Sequence, residues 1–136
     1  MNQRARTIFS IFMPRQIYVL NKTKPADSPH PRVSYCDTFL TQLRGFTFRA
    51  RLSPDVGLIL VGNRNSRLDS SIHMLFVAFD LTVVWIDSNM EVVDKVLARS
   101  WRPAYLSKRP AQYVLEIHPQ RYDEFAVGDL VEFKDA

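Results

Sequence analysis

Residues 81–96, LTVVWIDSNMEVVDKV, form the stretch that decides the fold class. The first six are mostly apolar or β-branched and predict a β-strand, since such side chains pack well on a pleated sheet. Residues 87–89, Asp-Ser-Asn, predict a turn, and residues 92–96 predict a return strand. The stretch therefore predicts a β-hairpin, and strands rather than helices dominate the rest of the chain.

Further strand signals lie on both sides of the hairpin. Apolar, β-branched and aromatic residues recur over short stretches that turn-forming residues bound. Three prolines between positions 25 and 31 predict a rigid loop after residues 16–20, because proline lacks the N–H group that a strand donates to its neighbour. We predict strands over residues 16–20, 32–35, 58–61, 113–117 and 130–133, a polar loop over residues 62–69, and a mostly extended path over residues 70–79.

Two short helices are predicted. Asp37 is a suitable N-cap for a helix over residues 38–44, and Gly45 fits its left-handed C-terminal cap. Pro119 fits the first position of a second helix over residues 119–126. The predicted fold class is therefore α+β, a mostly antiparallel β-sheet or half-barrel with two short helices.

Length and composition predict one domain. The chain has 136 residues, and 46% of them are apolar, which is enough for a single core. We predict an N-terminal extension over residues 1–14 and a single domain over residues 15–136. No apolar run reaches the roughly 18 residues of a membrane helix. We therefore expect no membrane span. The single cysteine excludes an intramolecular disulfide, which favours the cytoplasm.

Charge is distributed unevenly along the chain, whose formal net charge is +4. Residues 1–68 contain 11 basic and 3 acidic side chains, whereas residues 69–136 contain 7 and 11. A basic half favours anionic partners, and an anion or RNA binder would place its arginines on one face. The simpler interpretation is that these arginines are spread singly and solvated, which disfavours nucleic acid as the partner. The arginines concerned are Arg44, Arg49, Arg51, Arg64 and Arg67.

Several motifs occur in an order typical of one known family. They are TFLTQLRGF at residues 38–46, SSIHM at 70–74, VVWID at 83–87 and YVLEI at 113–117. With these motifs the chain resembles the prokaryotic family called domain of unknown function 192, over about residues 16–134. The resemblance implies a compact, β-rich α+β domain and implies no activity.

The chain departs from that family at one place. After the His-Met stretch the family usually has a proline, an aliphatic residue and an aspartate, and the corresponding residues here are Asp80, Leu81 and Thr82. Side chains two apart on a strand face the same side, so Asp80 can supply the missing carboxylate from the same face. The alternative is that this member has lost the site.

His73 is the leading candidate for chemistry, because imidazole titrates near neutral pH. We predict a ligand-binding groove formed by His73, Asp80 and Thr82, with Arg49, Trp101 and Arg102 as neighbours. The main hypothesis is a ligand-binding or accessory module for an unknown small molecule or protein. One alternative is an enzyme of hydrolase type with His73 as acid/base and Asp80 as its orienting acid. The other is the anion or RNA binder.

Other constellations are weaker. Cys36 and the three histidines lack the spacing of metal ligands, and no glycine-rich phosphate loop occurs, so we expect no metal and no cofactor. Glu116 is the single charge between Leu115 and Ile117. Alternation directs it away from these two residues, and we expect it to face solvent or pair with an arginine.

Overall fold

The structure is a computed structural model that describes residues 15–37, 52–72, 74, 77–102 and 104–136. The predicted N-terminal extension and the predicted helix over residues 38–44 lie outside these residues.

Seven strands and one 3-10 helix make up the described part of the chain. The strands are β1 (Arg15–Asn21), β2 (Arg32–Cys36), β3 (Val56–Ser66), β4 (Leu81–Ile86), β5 (Val92–Ala98), β6 (Ala111–Ile117) and β7 (Val131–Asp135), and the 3-10 helix is Pro119–Glu124. The predicted hairpin is confirmed as β4 and β5. Its turn forms because the Asp87 carboxylate accepts hydrogen bonds from the Asn89 and Glu91 amides.

The strands form one sheet in the order β5-β4-β6-β3-β2-β1-β7. β2 and β3 run parallel, and all other neighbouring strands run antiparallel. The two edges of the sheet approach each other at one end. There the Val92 amide donates to the Asp129 carbonyl at 2.8 Å, and the Val131 amide donates to the Met90 carbonyl at 2.9 Å. The expected mostly antiparallel half-barrel is thereby confirmed.

One core fills the inside of the half-barrel. Every strand contributes a buried apolar side chain to it, and Phe125 closes it from just beyond the 3-10 helix. Alternation explains this arrangement, because residues such as Ile59, Val84 and Leu115 point inward while their chain neighbours point outward. We call this cluster the inner core.

A second core, the outer core, lies on the opposite face of β2 to β6. Leu58, Val83 and Trp85 belong to it, together with Ile72 and Met74 from outside the sheet. Two irregular segments pair with each other across this face, and we call their described residues, 67–72, 74, 99–102 and 104–107, the covering layer. The sheet and the covering layer thus enclose the outer core between them.

Three details differ from the sequence prediction. β3 runs on to Ser66 through part of the predicted polar loop, with an irregular register against β6 after Val61. The stretch of residues 70–79 contributes only a bridge at Ile72 within the described residues, instead of a strand. The predicted helix over residues 119–126 is a 3-10 helix that ends at Glu124, because the chain is already extended at Phe125. No helix in the described part of the chain is long and apolar enough to cross a bilayer.

Candidate functional site

The covering layer brings most of the predicted site into one region. Ile72 and Tyr105 exchange two backbone hydrogen bonds, of 3.0 and 2.8 Å. The Met74 amide donates to the Arg102 carbonyl at 2.9 Å, and the Trp101 amide donates to the Met74 carbonyl at 2.7 Å. The chain on both sides of position 73 is therefore fixed against the segment that carries Trp101 and Arg102.

Trp101 lies at a strained turn on the outside of the covering layer. Its φ of 65° is in the left-handed region, which side chains other than glycine rarely adopt. The turn closes with a hydrogen bond from the Arg102 amide to the Arg99 carbonyl. The indole is 56% exposed, and Arg102 beside it is also exposed. The fold thus holds a large aromatic side chain at the surface next to a cation, at a position whose backbone conformation glycine adopts without strain.

Asp80 organises this turn. Its carboxylate accepts a hydrogen bond from the Ser100 amide at 2.9 Å and forms an ion pair with Arg99 at 3.0 Å. The Ser100 hydrogen bond, followed by Arg99, holds the pKa of Asp80 below its ordinary value. β4 begins at Leu81, so the strand alternation used to relate Asp80 to Thr82 does not extend to Asp80.

Thr82 lies apart from this turn. It is fully buried, and its alternation with Val84 and Ile86 places it on the inner face of β4. Its hydroxyl donates to the Pro119 carbonyl at 3.4 Å, so it contacts the 3-10 helix. The structure therefore brings Asp80, Trp101 and Arg102 together and separates Thr82 from them.

His73 and Arg49 lie outside the described residues, as do Arg44 and Arg51. Of the remaining arginines in the predicted basic face, Arg67 donates to the Ser107 carbonyl at 2.8 Å, and Arg64 pairs with Asp69 at 3.5 Å. Within the described ranges, no group of three or more His, Cys, Asp or Glu side chains is arranged to hold a metal ion.

Glu116 does not face solvent, which was one of the two environments predicted for it. It points away from Leu115 and Ile117 as expected, but it is only 7% exposed and forms no ion pair with any described arginine. Burial raises the pKa of its carboxyl to about 7. Alternation identified the face correctly, but the strand pattern of β6 gives no information about the covering layer that buries this face.

Comparison with known proteins identifies the family. The family model of domain of unknown function 192, described as "Uncharacterized ACR", matches residues 20–133. The chain belongs to this family. The match confirms the resemblance and covers β2 to β6 in full and the first part of β7.

Relatives of this DUF192 chain occur in archaea. A UPF0127 protein of Thermococcus kodakarensis is 35% identical over 117 residues, which span 85% of this chain and 72% of that protein. One from Thermococcus gammatolerans is 39% identical over 117 residues, spanning 85% and 74%. One from Pyrococcus furiosus is 36% identical over 98 residues, spanning 72% and 80%.

Two crystal structures share the fold of the DUF192 chain. A protein of unknown function from Novosphingobium aromaticivorans superposes with a TM-score of 0.72 at 20% identity, covering 86% of this chain and 83% of that one. A candidate transcription regulator from Sinorhizobium meliloti gives the same TM-score at 15% identity, covering 88% and 92%. At these identities the likeness extends to the fold alone.

Proposed function

We propose that this chain is a ligand-binding module, and that its ligand is an anion with a planar group that stacks on Trp101. The observation that carries the proposal is the exposed indole at a left-handed turn. More than half of the Trp101 surface is exposed, and backbone strain of this kind concentrates at binding sites.

The surroundings of Trp101 support an anionic ligand. Arg102 is exposed beside the indole, while the one acid at the turn, Asp80, is already paired with Arg99. Lys108 and Arg109 add two exposed cations further along the same segment. A planar anion can therefore stack on the indole while its charge is met by a guanidinium.

The enzyme alternative has less support. It requires a carboxylate that orients the imidazole of His73. Asp80, the carboxylate predicted for this role, already accepts hydrogen bonds from Ser100 and Arg99. That arrangement favours a structural role for Asp80 at the turn. We accordingly propose His73 as a ligand contact rather than a catalytic group, and propose that the module acts in the cytoplasm as a single domain over residues 15–136.

The proposal is tested with three probes that separate its two requirements. AMP is planar and anionic, adenosine is planar and neutral, and pyrophosphate is anionic and not planar. Titration calorimetry on the full chain is expected to give the tightest binding for AMP. Equal binding of AMP and pyrophosphate would remove the stacking role of Trp101, and no heat with any of the three probes would overturn the proposal.

Variants at the turn separate binding from folding. Trp101→Gly is expected to weaken AMP binding by about tenfold or more, since stacking on an aromatic side chain contributes roughly 1–3 kcal/mol. The same variant should unfold at an unchanged or higher temperature, because glycine adopts a positive φ without strain. Arg102→Gln should also weaken AMP binding, because it removes the exposed cation beside the indole. Lys134→Gln, on the far edge strand β7, is its matched charge control and should leave AMP binding unchanged. Unchanged affinity in Trp101→Gly would contradict the proposed site.

A further inference from the structure

The turn at residues 67–70 presents a leucine to solvent. Leu68 is 75% exposed, which is the largest value among the exposed large apolar residues of the described chain. The backbone of the turn is nevertheless well held, because the Ser71 amide and hydroxyl both donate to the Leu68 carbonyl. The Asp69 amide also donates to the Ser66 hydroxyl, at 3.1 Å. The fold therefore holds an apolar side chain outward on an ordered backbone.

A second exposed leucine lies on the segment next to this turn. The Arg67 guanidinium donates to the Ser107 carbonyl at 2.8 Å and so joins the turn to residues 104–107. Leu106 in that segment is 44% exposed, whereas Ser107 is fully buried. Because Tyr105 packs against the outer core, backbone alternation turns Leu106 away from the sheet. The two leucines are thus held at the surface by segments that meet at Ser107.

Cations flank both leucines. Arg67 directly precedes Leu68, and Lys108 and Arg109 follow shortly after the second leucine. The backbone beneath the latter two cations is fixed, because the Arg109 amide donates to the Ser107 hydroxyl at 3.3 Å. We call the exposed residues of these segments the leucine patch, and they are Arg64, Arg67, Leu68, Leu106, Lys108 and Arg109.

The acids bonded to this part of the described chain are already engaged. Asp69 pairs with Arg64 at 3.5 Å, and Asp94 accepts hydrogen bonds from the Lys95 and Lys108 amides. The four cations of the leucine patch outnumber these two acids, and all four are exposed. The leucine patch therefore combines protruding apolar side chains with an excess of positive charge.

An anionic bilayer fits this combination better than a protein or a nucleic acid does. Leucine has no ring to stack on a base and no group to hydrogen-bond one, so a nucleic acid would leave both leucines in water. A protein partner would need a pocket shaped to each protruding side chain. A bilayer needs no such pocket, because its headgroup region takes up apolar side chains while anionic headgroups attract the cations around them.

We propose that the leucine patch docks the chain reversibly on an anionic bilayer surface. Leu68 and Leu106 enter the headgroup region, and the four cations lie against anionic headgroups. The inference does not rest on the proposed function, because Trp101 and Arg102 are outside the leucine patch. It concerns the surface to which the module attaches rather than the ligand that the module binds.

Vesicle cosedimentation with the full chain tests the docking. The vesicles contain phosphatidylcholine alone, or phosphatidylcholine mixed with an equal amount of phosphatidylglycerol. We expect the chain to sediment with the mixed vesicles and to stay in solution with the neutral ones. Raising the salt concentration to about 1 M should release the chain, because charges are then screened beyond about 3 Å.

Two pairs of variants locate the docking surface. Leu68→Ser should weaken binding to the mixed vesicles by about tenfold, because the transfer of a leucine side chain out of water is lost. Leu130→Ser is its control, at a leucine that is 50% exposed outside the leucine patch, and should bind as the wild type does. Lys108→Gln should weaken binding by about fivefold, whereas Lys134→Gln on β7 should not weaken it. All four replaced side chains are exposed, and thermal unfolding checks that each variant is folded.

The outcomes are distinct. Equal binding to neutral and mixed vesicles, or equal losses in Leu68→Ser and Leu130→Ser, overturns the proposal. A chain that sediments with neither kind of vesicle also overturns it, including a chain that binds single-stranded RNA or an acidic peptide instead. AMP takes no part in the cosedimentation, and Leu68→Ser should bind AMP as the wild type does, so a failure of the proposed ligand leaves the result on docking unaffected.

Discussion

The inner and outer cores are built on the two faces of the same strands, yet they are closed in different ways. All seven strands and Phe125 enclose the inner core. Buried polar groups at its margin are bonded, as in the 2.7 Å hydrogen bond from Asn21 to Asp129. The outer core is closed by irregular segments, and Glu116 lies on the same face of the sheet with a raised pKa. Strands close one side of the sheet, whereas the irregular side holds both the strained Trp101 turn and a largely buried acid.

The largest expected effect is at the point where the 3-10 helix closes the inner core. Arg121→Ala removes a buried guanidinium that joins this helix to the carbonyls of Pro29 and Pro54 and leaves Glu124 without its partner. We expect a loss of about 3–5 kcal/mol in the free energy of unfolding, as measured by urea at pH 7. Arg109→Ala, at an exposed position, should lose less than about 0.5 kcal/mol. Similar losses in the two variants would show that the helix does not close the core.

The next effect concerns the outer core. The raised pKa of Glu116 means that the folded state binds more protons than the unfolded state between pH 4.5 and about 7. The contribution of Glu116 to wild-type stability should therefore be greatest below pH 4.5, fall as pH rises to about 7, and stay level above it. The total fall is roughly 3 kcal/mol. Glu116→Leu should remove the fall and be more stable than wild type by about that amount at pH 8, and a less stable leucine variant at pH 8 would contradict the assigned burial.

A pair of adjacent valines compares the two cores with identical chemistry. Val83 and Val84 are both fully buried, and they point into the outer and inner core respectively. We expect Val84→Ala to cost about 3 kcal/mol and Val83→Ala about 2 kcal/mol, because a core bounded by strands relaxes less around a cavity than one bounded by irregular segments. Urea unfolding at pH 5, where Glu116 is protonated, makes the comparison. A larger loss for Val83→Ala would reverse our view of which core is more rigid.

The smallest effect is expected at the turn of the covering layer. Asp80→Asn keeps an acceptor for the Ser100 amide and removes the ion pair with Arg99. Because that pair is largely exposed, we expect a loss of about 0.5 kcal/mol. Arg99→Gln should lose a similar amount, and the double variant should lose no more than either alone. Additive losses would show that the two side chains stabilise the turn separately.

The sequence was sufficient to predict the strands and the side of the sheet to which their side chains point. β4 is buried throughout and matches its predicted bounds, and the alternation in β6 assigned Leu115, Glu116 and Ile117 to the correct sides. Both features depend on local residue types and on the two-residue period of a strand. The predicted half-barrel follows from them.

The covering layer could not be predicted from residue types and periodicity. Its hydrogen bonds join residues such as Met74 and Arg102 that are distant in sequence and belong to no regular element, so no period marks them. The interpretation of Asp80 depended on a strand that begins one residue later, at Leu81. The burial of Glu116 cannot be deduced from its own strand, and the prediction that it faces solvent was wrong.

The pairing of β1 with β7 has a consequence for how the molecule assembles. These strands stand 110 residues or more apart in sequence, and their ladder joins Ile17 to Asp135 and Asn21 to Val131. During synthesis on the ribosome, β1 has no partner on that side until β7 has emerged. Closure of the half-barrel at this edge therefore waits for a contact of long sequence separation, which makes it a slow event in folding.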